Sequence, residues 1–136
     1  MATEQLHPDL HPLLLEFQGV NGYPLKAVWH VYQDECLDKV VLEFDQVALA
    51  VEAEPSDDTI VVHRQSNSVR HSSGWIDVSQ STQWNAFIGK SFGWGWIIIN
   101  QQDALDRVLL SFDGIVPQVM LIVMASSIHE RIIGPG

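Results

Sequence analysis

The sequence predicts an α+β fold, mainly antiparallel β-sheet, in which two pseudo-symmetric helix-plus-β-meander repeats pack as one sandwich or partly open barrel. Two observations carry this prediction. A nine-residue segment occurs twice, at residues 37–45 and 105–113, and six of its nine residues are identical. Apolar and polar residues also alternate along much of the chain, which is typical of strands that bury one face.

The repeated segment sets the expected domain organisation. The chain has 136 residues, which fits a single domain over residues 1–136. The two copies lie 68 positions apart, half of that length. We therefore predict an internal repeat at about 13–63 and about 80–133, with a serine-rich linker at about 64–74. Because an isolated hairpin is only marginally stable, the repeats are expected to cover each other's apolar faces.

The first repeat is expected to begin with a short helix at 13–19, since Pro12 fits its first turn and Gly19 its C-terminal cap. From Leu25 onward the apolar residues recur at every second position. This period predicts strands at 25–33, 38–45, 48–54 and 59–63. Asp, Gly, Pro and Ser residues indicate the turns between them.

The second repeat is preceded by a small predicted strand at 75–78. Ser79 and Ser81 are suitable caps for a helix that runs through Trp84 and Phe87 to Gly89. Strands are then predicted at 92–100, 106–113, 116–125 and 127–133. Each repeat therefore consists of a helix followed by an antiparallel meander.

An aspartate stands at each end of the repeated segment: Asp38 and Asp45 in the first copy, Asp106 and Asp113 in the second. Aspartate is frequent in turns because its carboxylate accepts hydrogen bonds from nearby backbone N–H groups. We interpret all four as turn residues that open and close the repeated strand. Paired catalytic or metal-binding carboxylates are the alternative interpretation.

The charge is uneven along the chain. There are 17 acidic and 7 basic residues, for a formal net charge of −10. Residues 1–58 carry all of this excess, and residues 59–136 are balanced. Because nucleic acids and anionic membranes attract basic surfaces, neither is an expected partner, and a basic protein is.

Several features predict a cytoplasmic protein. The sequence has no apolar run of transmembrane length, and its N-terminus lacks the pattern of a signal peptide. Its single cysteine, Cys36, excludes an internal disulfide, as expected for a reducing compartment.

Carboxylates are densest in the first repeat. The candidate binding residues among them are Glu43, Asp45, Glu52, Glu54, Asp57 and Asp58. No calcium-loop pattern accompanies them, so neither a metal nor a cofactor is expected. A solvated acidic face with a turn is one interpretation, and a weak cation site or a docking face for a basic partner is the other.

Aromatic residues concentrate between positions 75 and 96. The candidates are Trp75, Trp84, Trp94 and Trp96, with glycines interleaved among the last two. Tryptophan anchors both ligand pockets and protein interfaces, so these residues indicate a ligand groove or an interaction hot spot. The alternative interpretation is that they seat the second helix on its sheet.

The second repeat also has an apolar outer face. Leu109, Met120, Ile122 and Met124 are expected to point away from the core. A strand that is apolar on both faces is normally covered on both faces. The sequence therefore predicts either coverage by a short helix of this chain or a homodimer interface.

Three short stretches carry a resemblance to known proteins: residues 32–37 (Tyr-Gln-Asp-Glu-Cys-Leu), 41–44 (Val-Leu-Glu-Phe) and 57–60 (Asp-Asp-Thr-Ile). In them the chain resembles small acidic bacterial proteins, some of which are similar to immunity proteins of contact-dependent toxin systems. The resemblance implies an inhibitor-like binding protein and no catalytic residue.

Together these features favour a non-catalytic, cytoplasmic protein-interaction module with an acidic face for a basic partner. The second hypothesis is a protein that binds a small ligand or a metal through the tryptophan-rich segment or the acidic cluster. The third is a small hydrolase that uses the acidic cluster.

Overall fold

A computed structural model describes residues 10–54, 56–66 and 74–134. It contains one α-helix, nine strands and one 3-10 turn within these ranges. In chain order the elements are α1 (Leu10–Gln18), β1 (Ala27–Gln33), β2 (Cys36–Glu43), β3 (Val47–Glu54), β4 (Thr59–Ser66), β5 (Trp75–Asp77), the 3-10 turn (Asn85–Phe87), β6 (Phe92–Ile99), β7 (Leu105–Phe112), β8 (Val119–Met124) and β9 (Ser127–Ile132).

The strands form two antiparallel sheets that pack face to face as an open sandwich. The first sheet has the order β4-β3-β2-β1-β5, and the second has the order β6-β7-β8-β9. Each sheet therefore contains a meander of four consecutive strands. The predicted dominance of antiparallel sheet is confirmed, and the sheets do not close into a barrel.

The core lies between the sheets and is rich in phenylalanine. The ring of Phe92 lies 6.0 Å from those of Phe17 and Phe44 and 5.8 Å from that of Phe112, measured between centroids. Phe87 reaches the same cluster from the 3-10 turn, 5.2 Å from Phe112. Burying each of these side chains contributes roughly 1.5–3 kcal/mol, so the cluster is a main source of stability.

Helix α1 closes one side of the sandwich, because it contacts β4 and β6, which are edge strands of different sheets. Phe17 is buried against Gly95 of β6, where a side chain would collide with the ring. Glu16 accepts hydrogen bonds from both the backbone nitrogen and Nε of Arg64 on β4, each 3.1 Å long. The helix begins three residues earlier than predicted, with Pro12 in its first turn, where proline is tolerated.

The opposite side of the sandwich is joined by polar side chains. His30 Nε2 on β1 lies 2.9 Å from Glu130 Oε2 on β9, and Trp84 Nε1 donates to the same oxygen at 2.8 Å. Leu37 N also donates to Ser127 Oγ at 3.0 Å. These contacts fix β9 against the first sheet.

The interpretation of Asp38 and Asp106 as turn residues that open a strand is wrong. In the first sheet Lys39 pairs with Val31 and Leu37 with Tyr32, so Asp38 has no partner in the ladder. In the second sheet Arg107 pairs with Ile98 and Leu105 with Ile99, so Asp106 has none either. Both aspartates are the extra residue of a β-bulge inside the strand.

Three element boundaries also differ from the prediction. Strand β4 continues through Ser66, three residues into the expected linker, and the rest of that linker up to residue 73 lies outside the described residues. The expected second helix is a single 3-10 turn at Asn85–Phe87. Strand β8 starts at Val119, because 113–116 form a bend.

Candidate functional site

The six acidic candidates do not form one cluster. Glu43 pairs with Ala48 at one end of the first sheet, and Asp45 lies just beyond it, 3.2 Å from Lys26 Nζ. The other four residues, Glu52, Glu54, Asp57 and Asp58, lie toward the opposite end of the sheet, at the β3–β4 hairpin. The acidic charge is therefore spread along the sheet.

The centre of the outer face of the first sheet is apolar, which differs from the expected solvated acidic face. Val41 and Ala50 are at most 1% exposed, and they pack beneath Trp29 and Trp75. These two rings lie 6.4 Å apart, and Trp29 Nε1 donates to Glu43 Oε1 at 3.0 Å. The tryptophans thus cover the centre of this face, and the carboxylate of Glu43 helps to hold Trp29 in place.

Glu52 is held between two basic side chains on the same face. Its carboxylate lies 3.0 Å from Lys39 Nζ and 2.8 Å from His63 Nε2. Burial alone would raise the pKa of Glu52, but hydrogen bonds and charge from Lys39 and then His63 outweigh burial and lower it. Burial, followed by the charge of Glu52, raises the pKa of Asp38.

Asp57 and Asp58 have structural partners in the β3–β4 turn. Asp57 Oδ1 accepts hydrogen bonds from the backbone nitrogen and the hydroxyl of Thr59, at 3.2 and 2.6 Å. Asp58 adopts a left-handed backbone conformation, with φ of 54°. Its Oδ1 accepts a 2.8 Å bond from the backbone nitrogen of Ser126, in the β8–β9 turn. Both carboxylates therefore stabilise turns.

The four tryptophan candidates lie in three places. Trp84 is fully buried near the 3-10 turn, and Trp75 lies on the outer face of the first sheet. Trp94 and Trp96 stand together on β6, with ring centroids 6.3 Å apart and an interplanar angle of 22°. Trp94 is 56% exposed, which makes it the most accessible of the four tryptophans.

A bulge at the start of β6 is held by Ser111 of β7. The register of the two strands shifts between Phe92 and Gly95. Ser111 is fully buried, accepts a 2.8 Å hydrogen bond from the backbone nitrogen of Trp94 and donates at 2.7 Å to the carbonyl of Gly114. Ser111 is therefore covered rather than solvent-exposed, and its hydroxyl fixes the backbone that carries Trp94.

Beside this tryptophan pair runs a groove of about 520 Å³ between α1 and β6. Among the described residues no charged side chain lines it, and Phe17 lies where the helix meets the strand. Its walls are formed by Leu10, Leu14, Phe17, Gln18, Asn21, Gly93, Trp94, Gly95, Trp96, Ile97 and Ile98. Six consecutive residues of β6 contribute, and since alternate residues face opposite directions, the edge of the strand must form the wall.

The four expected interface residues lie on the second sheet, next to the tryptophan pair. Met120 pairs with Leu109, which pairs with Trp96, so these three share one face. Ile122 is 8% exposed and Met124 is 40% exposed. Helix α1 packs at the strand edges of the sandwich, against β4 and β6. The homodimer interface stays a prediction.

Sequence reasoning missed two parts of this arrangement. The first is the helix wall of the groove, since α1 and β6 are separated by about eighty residues in the sequence. The second is the contact of His30 and Trp84 with Glu130. Alternation had identified the strands of these residues, but alternation does not show which strands face each other across a core.

The described residues contain neither a metal-binding cluster nor a membrane-spanning helix. Within 10–54, 56–66 and 74–134, no three His, Cys, Asp or Glu side chains are placed to hold a metal ion. In the same part of the chain no helix has the length and apolar character needed to cross a membrane.

Comparison with known proteins identifies one family. The family model described as "Family of unknown function (DUF6334)" matches residues 11–136. No curated protein sequence and no solved structure matches the chain.

Proposed function

The chain belongs to this family, and from that premise and the geometry of β6 we propose that it is a non-catalytic, cytoplasmic protein-interaction module. Its docking surface, which we call the β6 surface, is the groove between α1 and β6 together with the exposed Trp94 and the half-buried Trp96. Its partner is a protein of net positive charge.

The observation that carries this proposal is the exposure of Trp94. A fold this small gains stability by burying tryptophan, yet 56% of this side chain remains in contact with solvent. Its ring stacks on Trp96, and the adjoining groove is walled by Leu10 and Leu14. A large aromatic beside an apolar concave surface is the usual composition of an interaction hot spot.

The charge of the chain supports the choice of partner. None of the described residues that line the groove is charged, so apolar contact would supply the affinity there. The surrounding molecule has a formal net charge of −10, which attracts a basic protein and speeds its association. The acidic residues thus speed the approach of the partner, and they do not form a single acidic docking face.

A small apolar ligand is the second candidate, because the volume of the groove supports it. About 520 Å³ lies within the range of small-molecule sites, which is roughly 300–1,000 Å³. Native mass spectrometry of the purified protein would reveal such a ligand as an added mass that disappears on denaturation.

We also propose that the two meanders are copies of one unit. The matching bulges at Asp38 and Asp106 support this, because they occur at the same position of the repeated segment. The hydrogen bond from Ser126 N to Asp58 adds support. These two residues are 68 positions apart, the offset of the repeat, so they occupy equivalent positions in the two copies. A duplicated unit would leave the docking role to features that only one copy has, such as Trp94.

A photo-crosslinking amino acid at position 94 tests the docking surface in cells that express the protein. The matched control places it at Tyr32, another aromatic residue, which is 46% exposed on the first sheet. We expect a covalent adduct with a basic protein at position 94 and none at position 32. Equal adducts at both positions, an acidic partner, or no adduct at position 94 would each refute the proposal.

A further inference from the structure

We infer that the β6 surface binds its partner by strand addition: an extended peptide segment pairs with the free edge of β6 and becomes a fifth strand of the second sheet. This inference rests on the proposed function and specifies its mode. It also specifies the ligand, which is a short peptide segment with apolar side chains, flanked by basic residues.

The backbone of β6 has an outer edge that can pair with another strand. Within the part of the chain that the structure describes, this strand lies at the end of its sheet and has β7 as its one neighbour in the strand order. At its first residue the outer edge is used, because Phe92 N donates to Tyr23 O and Phe92 O accepts from Gly22 N. For 93–99 no backbone bond outside the β6–β7 ladder is formed with any other described residue. The outward N–H and C=O groups of alternate residues there can therefore form hydrogen bonds with another strand.

The shape of the groove also fits an extended peptide. The groove follows 93–98, a length of about 20 Å at the rise of a strand. One set of alternate side chains on an added strand would face the tryptophan pair. The other set would face Leu10 and Leu14 on α1. An edge strand beside a helix is a recurrent site of peptide addition, in which main-chain bonds give affinity and side-chain pockets give specificity.

A purely apolar small molecule and a second copy of this chain fit the site less well than such a peptide. A purely apolar small molecule would cover the outward backbone groups without hydrogen-bonding them, which is unfavourable. A second copy of this chain would bring together two molecules that each carry a formal charge of −10. A peptide with basic flanks satisfies the backbone groups and complements the charge.

A random linear-peptide display library is the probe for the first test. Peptides enriched on the purified protein are expected to share an apolar stretch with basic flanks. Their affinity should fall at least about tenfold for Leu14→Glu, which places a charge in the groove. The matched control is Leu15→Glu, because Leu15 is 42% exposed on the same helix and does not line the groove. Thermal denaturation of both variants establishes that each is folded.

Two measurements on an enriched peptide test the pairing itself. N-methylation of every second amide should abolish binding for one set of alternate residues and spare the other, because only one edge of the peptide faces β6. In the wild-type protein, the bound peptide should slow amide hydrogen exchange within 93–98 of β6.

The outcomes separate the two proposals. Equal binding of both N-methylated forms, or exchange protection elsewhere than β6, would refute strand addition and leave the interaction module standing. Enriched peptides that are insensitive to Leu14→Glu would refute the groove as their site. A failure to enrich any peptide, combined with no adduct at position 94, would refute both proposals. Self-association that involves β6 would replace the peptide by a second copy.

Discussion

Glu130 Oε2 on the second sheet lies 2.9 Å from His30 Nε2 on the first. The two side chains are 6% and 12% exposed, and Trp84 donates a third hydrogen-bonding group to this contact. A carboxylate so far from water depends on its partners, because an unpaired buried charge is strongly unfavourable. The contact therefore joins the two sheets on the side of the sandwich that α1 does not close.

Removing the carboxylate should destabilise the protein. We expect Glu130→Leu to lower the free energy of unfolding by about 3–5 kcal/mol, measured by urea denaturation, because it leaves His30 and Trp84 without an acceptor. Glu130→Gln keeps one acceptor and should cost less. The control is Glu35→Leu in the exposed β1–β2 turn, which should change the free energy by no more than about 0.5 kcal/mol. Equal losses at positions 35 and 130 would contradict the role of this contact.

The stabilisation from Glu52 should depend on pH. Its pKa is lowered in the folded protein, below the ordinary value of 4.5, so its contribution is present above that value. It is lost as the pH falls through the lowered pKa. We expect Glu52→Gln to reduce the melting temperature at neutral pH, with a difference from wild type that shrinks below about pH 4. A difference that is constant with pH would show that the ionised carboxylate is not responsible.

A side chain at Gly95 should displace α1. A Cβ atom there would overlap the ring of Phe17, so Gly95→Ala forces the helix away from β6. We expect a loss of about 1–3 kcal/mol in the free energy of unfolding, as for other overpacked sites. Gly114→Ala is the matched control, because a Cβ at that position has no neighbour within 4 Å. If both variants melt at the same temperature, the packing of Phe17 does not depend on the close approach of α1 to β6.

Loss of the Ser111 hydroxyl should loosen the start of β6. In Ser111→Ala the backbone nitrogen of Trp94 loses its acceptor, and an unsatisfied group of this kind costs about 1–3 kcal/mol. The indole resonance of Trp94 should shift in the NMR spectrum of the variant. Ser56→Ala, at an exposed serine, provides the reference for a surface hydroxyl. An unchanged indole resonance would mean that Ser111 does not position Trp94.

Much of the fold could be predicted because side-chain alternation is a local property. It identified all nine strands of the described residues to within about three residues, including the repeated pair β2 and β7. It ended β4 three residues early, because Arg64 and Gln65 continue the strand and polar edge residues resemble a linker. It also failed at Asn85–Phe87, where Trp84 and Phe87 have helical spacing but a single turn suffices to bury both.

The candidate site was harder to predict, because it depends on pairing between distant segments. The sequence indicated that Trp94 and Trp96 could form a binding surface, and it also included Trp84, which lies in the core. Composition does not distinguish an exposed tryptophan from a buried one. The bulges could not be predicted either, since an extra residue is defined only by the register of the partner strand.

The matched bulges have a consequence for how the sandwich can change. A bulge bends its strand and increases the local twist of its sheet. Because β2 and β7 both carry one, the two sheets are bent at corresponding places, and their surfaces can remain complementary in curvature. Deleting Asp38 alone would flatten one sheet against a partner that stays coiled. Deleting Asp106 in the same molecule would restore the match in curvature between the two sheets. The two positions are therefore expected to tolerate deletion only together.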